Sequence, residues 1–123
     1  MEWVIQFDDV KRVVFVKANG AVEDLPLREM TKQLRDAVIR HGAKRVLIDY
    51  SQTLSRLEPY EIFERPKILT AFGFPTDVNV AVLYARLDEN AQFLENVYRN
   101  QNFPVRVFND YTAALSWLES QAP

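Results

Sequence analysis

Trp3, Ile5 and Phe7 alternate with Glu2, Val4 and Gln6 at the start of the chain, and after Asp8-Asp9 comes a second β-rich run, Arg12-Val13-Val14-Phe15-Val16. Two such runs joined by a short polar turn predict a hairpin. Asn19-Gly20, residues that readily take positive φ, are expected to end the second strand and turn the chain. From about Asp24 to His41 the period lengthens to 3.6: Leu27, Met30, Leu34, Ala37, Val38 and His41 share one face, with Arg28, Lys32, Arg35 and Asp36 opposite. That is a helix, closed by His41-Gly42, where a basic residue suits the helix dipole and glycine supplies the left-handed cap.

The strand Arg45-Val46-Leu47-Ile48-Asp49 follows directly. Pro59 then reads as the first residue of a second helix with Ile62, Phe63, Ile68, Leu69 and Phe72 as its apolar members. Pro66 in its middle predicts a kink, or two short helices divided at Arg65. Gly73 and Pro75 break the chain before an apolar strand, Val78 to Ala85, and Asp88 caps a third helix carrying Ala91, Leu94, Val97 and Tyr98 inward. A short strand, Pro104 to Phe108, precedes a last helix capped by Asn109 or Asp110 and burying Ala114, Leu115, Trp117 and Leu118. Strands alternating with helices require crossovers that lay helices on the faces of a largely parallel sheet. The expected fold is therefore α/β, one domain over residues 1–123, in the order ββαβαβαβα: a mostly parallel five-stranded sheet with an antiparallel first strand and four helices.

Composition narrows the function classes. Fifteen Lys and Arg against seventeen Asp and Glu give a net charge of -2, so no long-range field draws phosphate backbones, and nucleic acid is not an expected partner. Without cysteine there is no disulfide, thiolate nucleophile or thiolate metal site. The N-terminus does not read as a signal peptide, and the longest apolar run, Val80 to Ala85, is far below the roughly 20 residues of a membrane span, so a cytoplasmic location without an integral membrane segment is expected.

In an open parallel sheet, ligands meet the loops beyond the carboxyl ends of the strands. That rule selects Asn19 and Gly20, the stretch from Asp49 through Ser55, Arg86 and Asp88, and Asn109 and Asp110. Asp88 and Asp110 are explained by helix capping. Asp49, placed at a strand end, needs donors or water, and Ser51-Gln52-Thr53-Leu54-Ser55 offers three hydroxyls ahead of a helix where a phosphoryl group would meet backbone N–H groups; turn chemistry, or a capping box of Ser55 with Glu58, is the simpler explanation of them. Arg56, Arg65 and Lys67 read either as an exposed basic face or as partners for an anion. His41, the only histidine, is already accounted for as a helix end, so no Ser-His-Asp triad or histidine metal site is expected, and Glu58, Glu61 and Glu64 suit a solvated face. Three glycines make no phosphate loop. No cofactor or metal is expected.

The strand Val46-Leu47-Ile48-Asp49 with Tyr50-Ser51, the strand Val80-Ala81-Val82, and the ending Val107-Phe108-Asn109-Asp110 with Ala114 and Trp117-Leu118 give the chain a resemblance, over nearly its whole length, to the STAS superfamily, and more closely to its small stand-alone SpoIIAA-like members. The resemblance implies a SpoIIAA-like fold and a non-enzymatic binding or regulatory module. Antagonist members carry a phosphorylatable serine in an Asp-Ser-Ser-Gly pattern; here the corresponding stretch reads Thr53-Leu54-Ser55-Arg56-Leu57, with Ser55 the nearest hydroxyl. The related Sec14-like group holds lipids or other apolar molecules, for which Tyr60, Phe63, Phe72 and Phe74 are the residues here able to line a pocket. The leading expectation is a module that engages a protein partner or small ligand at the carboxyl edge of the sheet through Asp49, Ser51, Thr53, Ser55, Arg56 and Arg86, with a homodimer compatible with it. A carrier of an apolar small molecule is the second reading, and a hydrolase or transferase using Asp49 and a nearby serine the third.

Overall fold

The computed structural model describes residues 1–122. Two strands open it, β1 (Glu2–Asp8) and β2 (Val13–Val22), followed by α1 (Asp24–His41), β3 (Arg45–Ser55), α2 (Pro59–Ala71), β4 (Asn79–Leu83), α3 (Glu89–Asn100), β5 (Val105–Phe108) and α4 (Tyr111–Glu119). The strands form one sheet in the order β1-β2-β3-β4-β5, with β1 antiparallel to β2 and every other pairing parallel. Element order and strand directions agree with those expected from the periodicity.

The hairpin turn is held by Asp8, whose carboxylate accepts the N–H groups of Val10 and Lys11 at 3.0 and 2.9 Å. His41 stacks on Phe7 at 4.2 Å, so the end of α1 packs on β1 through two rings, and Gly42 takes the left-handed cap at φ 58°. Asp88 and Asp110 accept from the N–H groups of Ala91 and Ala113, confirming both as helix caps.

Three expectations are corrected. Asn19-Gly20 does not end β2: the strand continues to Val22, with Gly20 at φ 86° inside it. Its continuation pairs with β3, which therefore runs on to Ser55 instead of stopping at Asp49. The register shifts on the way: Lys17 faces Asp49 but Asn19 faces Gln52, so β3 carries one extra residue as a bulge. Finally, Pro66 does not divide the second helix at Arg65; α2 is one continuous helix of 13 residues. Proline removes one backbone bond, but Pro66 is buried, and burial of the ring with its neighbours Ile62, Ile68 and Leu69 offsets that loss.

The sheet separates two cores. On one face lie α1, α2 and α3 over Val14, Val16, Val46, Ile48, Val80, Val82 and Val105. On the other, Ala114 and Leu118 of α4 pack on Val13, Leu47 and Ala81, flanked by Phe15, Phe108 and Trp117. Around the first face, α1 approaches β1 and β2 and α3 approaches β5, whereas α2 approaches only its flanking helices and has no Cα within 8 Å of a strand. The middle of the three helices stands off the sheet.

Candidate binding site

The space beneath α2 is a cavity of about 280 Å³. Its floor is the sheet, with Ile48 and Tyr50 from β3, Val80 and Val82 from β4 and Tyr84 just beyond; its roof is Met30, Thr31 and Leu34 of α1, Ile62, Arg65 and Leu69 of α2, and Leu94 and Tyr98 of α3. Protein interiors are packed to the density of organic crystals, so an unfilled space of this size at the centre of a small domain is an exception. It opens at the carboxyl ends of β2, β3 and β4, past Thr53, Ser55, Arg86 and Asp88.

One charged side chain lies inside. Arg65 is only 4% exposed, and its Nη2 donates to Thr31 Oγ1 at 2.7 Å while Nη1 has no hydrogen-bond partner among the described residues. Thr31 in turn donates to the Leu27 carbonyl at 2.7 Å, so the hydroxyl is fully engaged without carrying any charge. No carboxylate among the described residues makes an ion pair with Arg65. A buried cation without a counter-charge costs several kcal/mol in general, and leaving one of its N–H groups without a hydrogen-bond partner adds to that cost.

Arg65 is buried because of its helical spacing: Ile62, Arg65 and Leu69 recur at three and four residues and therefore share the face that α2 turns inward. That spacing was the available signal; reading Arg65 by residue type, as part of a basic face with Arg56 and Lys67, missed it. Arg65→Met keeps an unbranched apolar stem, removes the buried charge and leaves Thr31 bonded to Leu27. It is therefore expected to raise the stability of the ligand-free protein by about 1–2 kcal/mol, a Tm increase of roughly 4–8 °C for a domain of this size. Scanning calorimetry measures this, and a lower Tm would show that the guanidinium holds the fold together.

Two phenols share the cavity with the cation. Tyr50 and Tyr84 have ring centroids 5.8 Å apart. Burial pushes the Tyr50 phenol well above its ordinary value, the Arg65 charge draws it partly back, and Tyr98 adds to the rise. Burial likewise raises Tyr84, helped by Tyr50, Tyr98 and Asp88 and opposed by Arg65. The guanidinium thus acts electrostatically on both hydroxyls.

The six residues selected from the sequence separate into two groups. Thr53, Ser55 and Arg86 lie on the cavity wall near its mouth. Asp49 lies on the opposite face with Leu47, where its Oδ1 accepts from Ser51 N at 2.8 Å and Ser51 Oγ at 2.6 Å. Arg56 is exposed and outside the cavity. Ser55 does not cap α2; Glu58 is the N-cap, and its N–H donates to Glu61 at 3.0 Å. Of the four aromatics, Phe74 lines the cavity, whereas Tyr60 and Phe63 are 69% and 55% exposed and Phe72 is half-buried outside it. Among the described residues no group of three or more His, Cys, Asp or Glu side chains is arranged to hold a metal ion.

The fold recurs in solved structures. An anti-sigma factor antagonist from Mycobacterium paratuberculosis superposes with a TM-score of 0.60 at 16% identity, over 97% of this chain and 96% of that one. An uncharacterised protein of the DUF3478 family with a SpoIIAA-like fold, from Shewanella loihica PV-4, gives 0.63 at 20% identity over 94% and 93%. The anti-sigma factor antagonist SpoIIAA in its unphosphorylated form gives 0.57 at 10% identity over 98% and 100%. No family model matches the chain. No curated protein matches it either. The chain has a SpoIIAA-like fold.

Proposed function

We propose that this SpoIIAA-like domain is a non-catalytic binding module whose ligand is a small, largely apolar molecule held in the cavity beneath α2. The observation that carries this reading is the cavity itself: about 280 Å³, walled mainly by aliphatic and aromatic side chains, and opening at the carboxyl edge of the sheet. Its volume is at the lower end for small-molecule sites, which suits a ligand of about ten to fifteen non-hydrogen atoms at close-packed density. The Asp49–Ser51 pair offers no comparable case for hydrolysis. It lies on the other face of the sheet, and His41 is stacked on Phe7 at the end of α1.

A molecule bound only by the folded state must stabilise it, by about 2.7 kcal/mol at a hundredfold excess over Kd. 1-Octanol is therefore expected to raise the Tm of the wild-type protein. Val82→Phe, which places a ring from β4 into the empty space, should remain folded and show no such rise. Native mass spectrometry of gently purified protein is the companion measurement, because a retained adduct gives the natural ligand's mass. No thermal shift and a bare mass would overturn the cavity reading. The exposed Leu54, Tyr60 and Phe63 around the start of α2 would then favour a protein partner at this edge.

A further inference from the structure

Resting on that reading, we propose that the ligand is a small amphiphilic monocarboxylate, aliphatic or aromatic, whose carboxylate is held by Arg65 while its apolar body fills the cavity. Arg65 supplies what such a head group needs and little else in the cavity does. Its guanidinium is buried, directed inward from α2, bonded on one side to Thr31, and left with Nη1 unpaired among the described residues. A planar fork with a free edge matches the two oxygens of a carboxylate, and the bond to Thr31 holds the fork still before the ligand arrives. Tyr50 and Tyr84 line the same space and lie within the electrostatic reach of Arg65, so phenolic donors are available at the charged end.

The rest of the wall argues for an acid with an apolar tail and against a polar anion. Met30, Leu34, Leu69, Val82 and Leu94 offer no hydrogen bonds, so a sugar phosphate or polycarboxylate would be desolvated without replacement partners. Arg86 and Asp88 at the mouth are exposed and of opposite sign, so the entrance favours neither charge, and selection falls to the single cation inside. Ion pairing also explains the tolerance for a lone buried charge: the cost is carried by the empty protein and relieved when the carboxylate arrives.

The test compares octanoate with 1-octanol, two probes of equal chain length, by isothermal titration calorimetry in chloride-free buffer. Wild-type protein is expected to bind octanoate at least tenfold more tightly than 1-octanol. Arg65→Met should abolish or reverse that preference while still binding 1-octanol, and Arg65→Lys should retain part of it. Should Arg65→Met fail to fold, the wild-type comparison and Arg65→Lys still decide. Equal binding of the two probes to wild-type protein, or a preference unchanged in Arg65→Met, would overturn the carboxylate assignment and leave the cavity reading standing. Binding of neither probe would overturn both.

Discussion

Raising the pH above 10 is expected to destabilise this protein steeply, because Tyr50 and Tyr84 hold their protons in the folded state beyond the point at which the unfolded chain releases them. Both phenols are raised by burial in the cavity under α2. Below a pH of about 10, the ordinary tyrosine value, both states are protonated and the full stability is present. Above it the unfolded chain binds fewer protons, so stability falls with rising pH until the folded values are reached. Each withheld proton costs about 1.4 kcal/mol per pH unit, so two cost about 2.7. A whole domain of this kind is stable by only about 5–15 kcal/mol.

Denaturant unfolding of the wild-type protein and of Tyr50→Phe/Tyr84→Phe, from pH 9 to 12, measures the effect. Phenylalanine keeps the packed rings and removes the protons, and lysine titration is common to both proteins and cancels in the difference. The wild-type curve should fall more steeply by about 2.7 kcal/mol per pH unit above pH 10. Parallel curves would show that the phenols are not held in a low-polarity space. Surroundings that keep a phenol neutral would also make a bound anion of the proposed kind depend on Arg65.

The second large effect concerns the opposite face of the sheet. Leu118→Ala is expected to cost about 3–4 kcal/mol, within the range for leucine truncation in a close-packed core, and to lower the Tm by roughly 12–15 °C. Leu118 and Ala114 are fully buried against Val13, Leu47 and Ala81, with Phe15, Phe108 and Trp117 packed around them, so truncation opens a cavity in a small core. The surrounding pieces are specific: Trp117 is tilted against Phe108 at 5.9 Å with Arg106 over both rings, and Arg45 ties the end of α4 by donating to the Glu119 and Gln121 carbonyls. Chemical denaturation monitored by tryptophan fluorescence measures the loss. A cost below about 1 kcal/mol would mean that the site collapses around the missing side chain. The cavity under α2 lies across the sheet, so at a temperature where the variant is folded its affinity for 1-octanol should equal that of the wild type.

Most elements were legible because their signals are local. The alternation of Trp3, Ile5 and Phe7, the 3.6 period from Leu27 to Val38, and Asp88 and Asp110 ahead of their helices each depend on neighbours within a turn or two. The parallel arrangement followed from their order. Pro66 misled because its local cost is real while the burial that offsets it is supplied by other parts of the chain.

The candidate site divides along the same line. The residues Thr53, Ser55 and Arg86 were identifiable as belonging to strand-end segments, because element order locates the carboxyl edge of a parallel sheet. Which way they face was not. The bulge opposite Lys17 and Asn19 puts one extra residue into β3, so Asp49 and Ser51 remain on the α4 face while Tyr50, Thr53 and Ser55 look into the cavity. An inserted residue reverses the alternation beyond it, and it depends on how two strands distant in sequence are aligned. The cavity is likewise a property of three helices at once: α2 leans on α1 and α3 and stands clear of the strands. The amino-acid order by itself determined the elements, their sequence and the edge at which a ligand would enter. Only the tertiary structure decided that Arg65 is a buried charge inside the cavity behind that edge, without an ion-pair partner among the described residues, because burial of a side chain depends on what the rest of the chain leaves above and below it.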